Sequence, residues 1–130
     1  MKSTFLSSRA ISFDLGLLIL RLVAGGAMLT HGFPKLQMIV NQNHQFGDPV
    51  GLGPILTLYL VTFAEFICSI LVILGIQTRL ATIPLIIDMS VALFIVHAKD
   101  DFGTKELALI FLSMFLTIFF TGPGKYSVER

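Results

Sequence analysis

Four stretches of nearly continuous apolar residues divide the chain, and each is long enough to cross a bilayer as a helix. They cover about residues 15–36, 55–74, 80–97 and 105–121, and the last one ends at the helix-terminating segment "GPGK". A membrane-spanning helix needs about 20 mostly apolar residues. Because the four stretches lack the alternation of polar and apolar residues that barrel strands show, the pattern predicts helices.

The connectors between these stretches indicate how the helices are arranged. Residues 41–54 form a polar segment rich in turn formers, "GIQT" at 75–78 reads as a tight turn, and "AKDDFGT" at 98–104 is short and charged. We therefore expect an all-α, antiparallel four-helix bundle that occupies residues 1–130 as a single integral membrane domain.

The distribution of lysine and arginine predicts the orientation. With the N-terminus inside, the inner side holds five basic residues, which are Lys2, Arg9, Arg79, Lys125 and Arg130. The outer side holds three, which are Lys35, Lys99 and Lys105. The side richer in basic residues faces the cytoplasm. Both termini are therefore expected to be cytoplasmic.

The composition agrees with a membrane protein and excludes several other classes. Charged residues make up 13% of the chain and hydrophobic residues 55%, whereas soluble domains carry about 25% charged residues. The net charge of +1 and the absence of a basic run argue against a nucleic-acid partner. A single cysteine, Cys68, excludes an intrachain disulfide and a multi-cysteine metal site. A cleaved signal peptide is a competing interpretation of the first stretch, but its apolar character continues past the usual length.

The first stretch carries polar and small residues along one helical face. Asp14, Arg21, Met28 and Lys35 are spaced by seven, and His31 lies one turn before Lys35. Gly25 and Gly32 fall on the same side, as they do in helices that turn small and polar residues toward partner helices.

Three ionisable residues from different stretches are expected at one depth of the bundle. Arg21, Glu65 and Asp88 are predicted to form a buried ionic network, because an arginine fork suits two carboxylates and an unpaired charge in lipid is costly. Two interpretations stay open for this network. It is either a structural lock between helices or a proton- or ligand-binding site.

A second polar group is expected near the outer ends of the helices. His31, Lys35, His97 and Glu106 are candidate ligand-binding residues, with His44 of the long loop as a further member. One interpretation is that these side chains capture a small polar headgroup between apolar walls, for which Phe33, Phe63, Phe66 and Phe94 are available. The alternative is that Lys35 reaches to lipid headgroups. The three histidines form no dense ligand cluster, so no metal site is expected.

Several motifs resemble the DoxX family of small four-helix bacterial membrane proteins. The resemblance covers about residues 17–128 and rests on "LRLVAGGAMLTHGFPKL", "AEFICSILVILGIQTRLATIPLIIDM" and the terminal "GPGKYSV". Members of the wider family include the small subunit of an archaeal thiosulfate:quinone oxidoreductase and a protein linked to a membrane-associated oxidoreductase complex that handles thiol stress. The resemblance thus implies a quinone-related role and other oxidoreductase subunits as partners.

Three hypotheses about function follow. The first is an accessory subunit of a quinone-linked oxidoreductase in the bacterial cytoplasmic membrane, in which His31, Lys35 and Glu106 contact a quinone headgroup and Glu65 or Asp88 handles protons. The second is a non-catalytic scaffold in which the charges only lock the bundle. The third is a small proton-coupled transporter. No catalytic residue and no intrinsic cofactor is identified, homo-oligomers are left open, and electron transfer would need a partner that carries the redox centre.

Overall fold

A computed structural model describes residues 5–129, and these residues form four helices joined by loops, with no β-strand among them. The helices are α1 (Phe13–Val40), α2 (Pro54–Leu74), α3 (Thr78–Val96) and α4 (Phe102–Thr121), and each is long and apolar enough to cross a membrane. The prediction of an all-α protein with four spans is confirmed. The chain is a multi-pass membrane protein.

The helix boundaries follow from residues that satisfy or remove free backbone groups. Ser12 caps α1 by accepting a hydrogen bond from the amide of Leu15 at 3.2 Å. Pro54 begins α2 at a position where no amide is needed, and Gly75 ends that helix in a left-handed conformation with φ of 76°. The tight turn predicted at 75–78 is therefore present.

Two helix ends differ from the prediction by a few residues. Helix α1 continues to Val40 rather than ending near residue 36, because Pro34 lies inside the helix without terminating it. Helix α4 begins at Phe102 rather than near residue 105, because Asp101 caps it. The hydroxyl of Thr104 donates to Asp101, and so does its amide. These hydrogen bonds, that of the hydroxyl above all, hold the pKa of the exposed Asp101 carboxyl below its usual range.

The four helices form a ring in which each packs against its two neighbours, α1 with α2, α2 with α3, α3 with α4 and α4 with α1. Residues 41–53 and 97–101 lie at one end of the bundle, which we term the loop end. The turn at 75–77, the start of α1 and the C-terminal segment lie at the other, which we term the terminal end. The bundle is antiparallel, and the cytoplasmic location of the terminal end stays a prediction.

Glycines set the distance and register between α1 and α2. A Cβ atom on Gly32 would collide with the backbone carbonyl of Glu65, and one on Gly25 would lie 3.0 Å from the carbonyl oxygen of Ser69. Gly26, by contrast, has open space beside it. Small residues allow such close approach between membrane helices. Gly25 and Gly32 therefore serve the interface within the bundle.

Arg21 joins three segments at the terminal end. Its side chain is 1% exposed. The guanidinium donates to the carbonyl oxygens of Val72 at 2.9 Å and Ile73 at 2.7 Å, and to those of Pro123 and Tyr126 at 2.9 Å each. The first two carbonyls belong to the last turn of α2, where helical partners are missing. Arg21 thus caps α2 and fastens the C-terminal segment beneath the bundle.

The predicted pairing of Arg21 with Glu65 and Asp88 is wrong. The register set by the two glycines brings Arg21 opposite Val72, which is seven residues, or about two turns, beyond Glu65. Its donors are occupied by carbonyl oxygens, and the two carboxylates lie nearer the loop end. Two cations of α1 therefore have separate partners, Arg21 at the terminal end of the bundle and Lys35 at the loop end.

We expect Gly32→Ala to destabilise the protein by about 2 kcal/mol or more, because the new methyl group would separate α1 from the backbone of α2. Gly26→Ala is the matched control and should be neutral or slightly stabilising, since alanine is the better helix former by about 1 kcal/mol. Unfolding in mixed detergent micelles measures both. Equal effects of the two substitutions would contradict the assigned interface.

We expect Arg21→Leu to cost on the order of 3 kcal/mol or more, because it removes a buried guanidinium that donates to four carbonyl oxygens. Arg21→Lys should rescue only partly, since an ammonium cannot reach four acceptors in a fork. The control is Arg79→Leu, which loses one exposed bond to the carbonyl oxygen of Phe119. Thermal unfolding in detergent, followed by circular dichroism, should give a much lower midpoint temperature for Arg21→Leu than for Arg79→Leu.

Candidate functional site

A cavity of about 240 Å³ lies between all four helices near the loop end, and we term it the vestibule. Polar and ionisable side chains occupy much of its wall, which is unusual for the interior of a membrane bundle. They are His31 and Lys35 of α1, Glu65 of α2, Thr104 of α4, and His97, which directly follows α3. Apolar residues such as Met28, Met89 and Phe111 complete the wall.

A second and larger cavity, which we term the chamber, has a volume of about 530 Å³. It lies between α2 and α3 and is covered by the loop at residues 46–52. Most of its wall is apolar, including Phe46, Leu60, Phe63 and Ile87. The ionisable side chains on its wall are Lys35, Glu65 and Asp88.

The vestibule and the chamber share a wall made of Lys35, Glu65 and Ala92. The ammonium of Lys35 donates to Oε1 of Glu65 at 2.6 Å and to the carbonyl oxygen of His31 at 3.1 Å. The side chain of Glu65 is 5% exposed and that of Lys35 is 22% exposed. This is a nearly buried ion pair between α1 and α2, and it separates the two cavities.

Asp88 of α3 extends the ion pair into a group of three residues. Its carboxyl lies within hydrogen-bonding reach of Glu65 and near the charge of Lys35. The atom Oδ2 of Asp88 is buried, and no hydrogen-bond donor among the described residues reaches it. We term Lys35, Glu65 and Asp88 the charged triad.

Two π-helical segments lie at or near the triad. The first, Phe63–Cys68 in α2, contains Glu65. The second, Ala92–Val96 in α3, contributes Ala92 to the walls of both cavities and Val96 to the wall of the chamber. A π-helical segment widens one turn and changes the direction of its side chains, and such segments are frequent at functional sites. Here the carbonyl of Glu65 packs against Gly32. The local geometry of α2 therefore positions the buried carboxylate.

The structure brings together most of the residues that the sequence suggested for the outer group. His31, Lys35 and His97 line the vestibule, and the ring of His31 meets that of Phe111 edge-on at 5.7 Å. The Nδ1 atom of His97 lies 2.8 Å from Oδ2 of Asp100 at the loop end. Glu106 is exposed and lies outside the lining of both cavities, and His44 does not line them either.

The chamber and its loop cover were not anticipated from the sequence. Of the four phenylalanines suggested as apolar walls, Phe63 lines the chamber, whereas Phe33, Phe66 and Phe94 do not. The loop is held over α2 by Asp48, which accepts a hydrogen bond from the amide of Gly53 at 3.0 Å. The dipeptide Asp48–Pro49 in a segment rich in glycine was a usable signal for an ordered loop. No pattern, however, indicated that Phe46 and its neighbours would cover a cavity.

Comparison with known proteins places the chain among small membrane proteins. The DoxX family profile matches residues 16–98. The chain is 30% identical over 112 residues to a Bacillus subtilis protein named "Putative oxidoreductase CatD", with 85% of this chain and 82% of that protein covered. It is 29% identical over 127 residues to an uncharacterized membrane protein of Mycobacterium tuberculosis, with 85% and 77% covered. No solved structure matches the chain significantly.

We expect Lys35→Met to destabilise the bundle by on the order of 3 kcal/mol, because it leaves the buried Glu65 carboxylate without its cation. The double variant Lys35→Met/Glu65→Gln should recover much of this loss, since the carboxylate that had lost its cation is then removed as well. Unfolding of the two single variants and the double variant in mixed micelles gives the coupling between the residues. Strictly additive losses would show that the pair contributes no interaction.

Proposed function

The chain belongs to the DoxX family, and we propose that it is a membrane-embedded accessory subunit of an oxidoreductase that holds a quinone-type ligand in the chamber. The ligand class is an aromatic head with polar oxygens and an apolar tail. The chamber is the observation that carries the proposal, because it combines long apolar walls with one charged end.

The size and the walls of the chamber suit such a ligand. Pockets for small molecules and cofactors have volumes of roughly 300–1,000 Å³ and mostly apolar walls with a few polar groups. The chamber, at about 530 Å³, lies in that range. Its wall residues Phe63, Ile87 and Val96 are 45%, 59% and 52% exposed, so the groove between α2 and α3 is accessible from the lipid. A tailed ligand would enter from the membrane.

Lys35 is the residue best suited to contact the head of the ligand. An ammonium has three donors, and two of them are used by Glu65 and by the carbonyl oxygen of His31. No further acceptor among the described residues binds the third, which can donate to a ligand oxygen at the charged end of the chamber. Phe46 and Phe63 offer aromatic surfaces beside it. This assignment moves the headgroup contact from the predicted set of His31, Lys35, His97 and Glu106 toward Lys35 alone.

The chain supplies binding and orientation, and a partner subunit would supply the electrons through a flavin, haem or metal centre. The name of the Bacillus subtilis relative, which contains the word oxidoreductase, supports this assignment by analogy. The bacterial cytoplasmic membrane is the proposed location, and a second copy of the chain is an alternative neighbour in the assembly.

A scaffold without a ligand is the second candidate function. The bond between Lys35 and Glu65 joins α1 to α2, as a structural lock would. This reading explains the ion pair but leaves the chamber and Asp88 without a role. It predicts that the cavity can be filled without loss of any measurable binding.

We expect the purified protein to retain a quinone from the membrane and to bind a short-tailed quinone in mild detergent. Ala92→Phe, which places a ring on the wall of both cavities, should weaken that binding by about tenfold, or ~1.4 kcal/mol. Lys35→Met should weaken it as well, through loss of the donor. Mass spectrometry of extracted small molecules and equilibrium titration measure the two quantities.

The matched control for this experiment is Ala27→Phe, which adds the same ring at an exposed position of α1 outside both cavities. It should bind quinone as the wild type does. A wild-type protein that neither retains nor binds quinone would refute the ligand and leave the scaffold. Equal binding by Ala92→Phe and Ala27→Phe would place the ligand outside the chamber.

A further inference from the structure

We propose that the charged triad of Lys35, Glu65 and Asp88 is a site for one exchangeable proton that connects the chamber with the loop end of the bundle. Glu65 lies on the wall of both cavities, whereas Asp88 lies on the wall of the chamber. A proton shared by these two carboxyls is therefore within reach of both sides. The site exists whether or not a quinone occupies the chamber.

The hydrogen-bond inventory of the triad calls for one proton. Asp88 and Glu65 lie within hydrogen-bonding reach of each other, but two ionised carboxylates are acceptors only and cannot bond to one another. No donor among the described residues reaches Oδ2 of Asp88. A proton on one of the two carboxyls supplies the missing O–H and completes the contact.

The charge count leads to the same number. One ammonium and two carboxylates would leave a net charge of −1 inside the membrane-spanning part of the bundle, which is costly. One added proton makes the triad neutral. A structural lock would need only Lys35 and Glu65, because these two already form a complete ion pair. The additional carboxyl of Asp88 is what distinguishes a proton site from a lock.

The vestibule provides the route between the triad and water. His31 and Thr104 line it, and His97 lies toward the loop end, where its Nδ1 atom contacts Asp100. The side chains of His97 and Asp100 are 35% and 46% exposed. An imidazole can accept a proton on one nitrogen and donate from the other. Helix α4 contributes Thr104 to this route. Among the described residues of α4, no ionisable side chain lines the vestibule.

The exchange step is a simple acid–base transfer. The O–H bond of the protonated carboxyl breaks, its electron pair stays on the carboxylate, and the proton is taken by water or imidazole in the vestibule. The reverse transfer restores the neutral triad. No electron moves, so the step needs neither an oxidant nor a reductant.

Infrared spectroscopy of the full-length protein in lipid nanodiscs, without added ligand, tests the site directly. The wild type should show the C=O stretching band of a protonated carboxyl that shifts when H₂O is exchanged for D₂O. Asp88→Asn should lose this band, and Glu106→Gln, at an exposed carboxyl outside both cavities, should keep it. If Asp88→Asn does not fold, Glu65→Gln provides a second test. It should also lose the band, because Asp88 can then pair with Lys35 as a carboxylate.

The rate of the deuterium shift tests the route. His97→Leu should slow the exchange, whereas His44→Leu, which changes a histidine outside both cavities, should not. A wild type without the band, or a band that survives in both Asp88→Asn and Glu65→Gln, would overturn the proton site. Equal exchange rates in the two histidine variants would overturn the route. Because no ligand is present, none of these outcomes depends on whether the chamber binds quinone.

Discussion

The hydrocarbon core of a bilayer offers no hydrogen bonds, and this constraint governs where the two cations of α1 find their partners. Arg21 satisfies it at the terminal end, where its guanidinium binds carbonyl oxygens of α2 and of the C-terminal segment. Lys35 satisfies it at the loop end, where it binds Glu65 and the carbonyl of its own preceding turn. The two cations hold opposite ends of the α1–α2 pair, with glycine contacts between them.

The glycine contacts explain why the two cations have different partners. Gly25 meets the backbone of Ser69 and Gly32 meets that of Glu65, so the antiparallel register of α1 and α2 is defined at two points. This register brings Lys35 to the carboxylate of Glu65 and Arg21 to the end of α2. The first cation belongs to a site with cavities on either side, whereas the second is a cap. Their chemistry differs because their neighbours differ.

The triad connects the fold to the proposed activity. An ion pair on a wall between an apolar chamber and a polar vestibule offers a donor for a ligand oxygen on one side and contact with polar groups on the other. In the proposed proton site, the additional carboxyl of Asp88, which a lock would not need, completes a neutral group that carries one proton. Ligand binding and proton exchange are proposed here as separate properties of the same wall, and membership of the DoxX family decides neither of them.

Apolar runs and turn residues alone determined the four spans, the tight turn at 75–78 and the helical face that carries Gly25, Gly32 and Lys35, because hydropathy and helical period are local properties. The expected proximity of His31, Lys35 and His97 also followed, since all three lie near the ends of their helices on the same side. Tertiary structure alone decided that Arg21 binds carbonyls, that Glu65 pairs with Lys35, and that Glu106 lies outside the cavities. Those outcomes depend on the register and rotation of packed helices and on a C-terminal segment that folds back to Arg21, and sequence spacing contains neither.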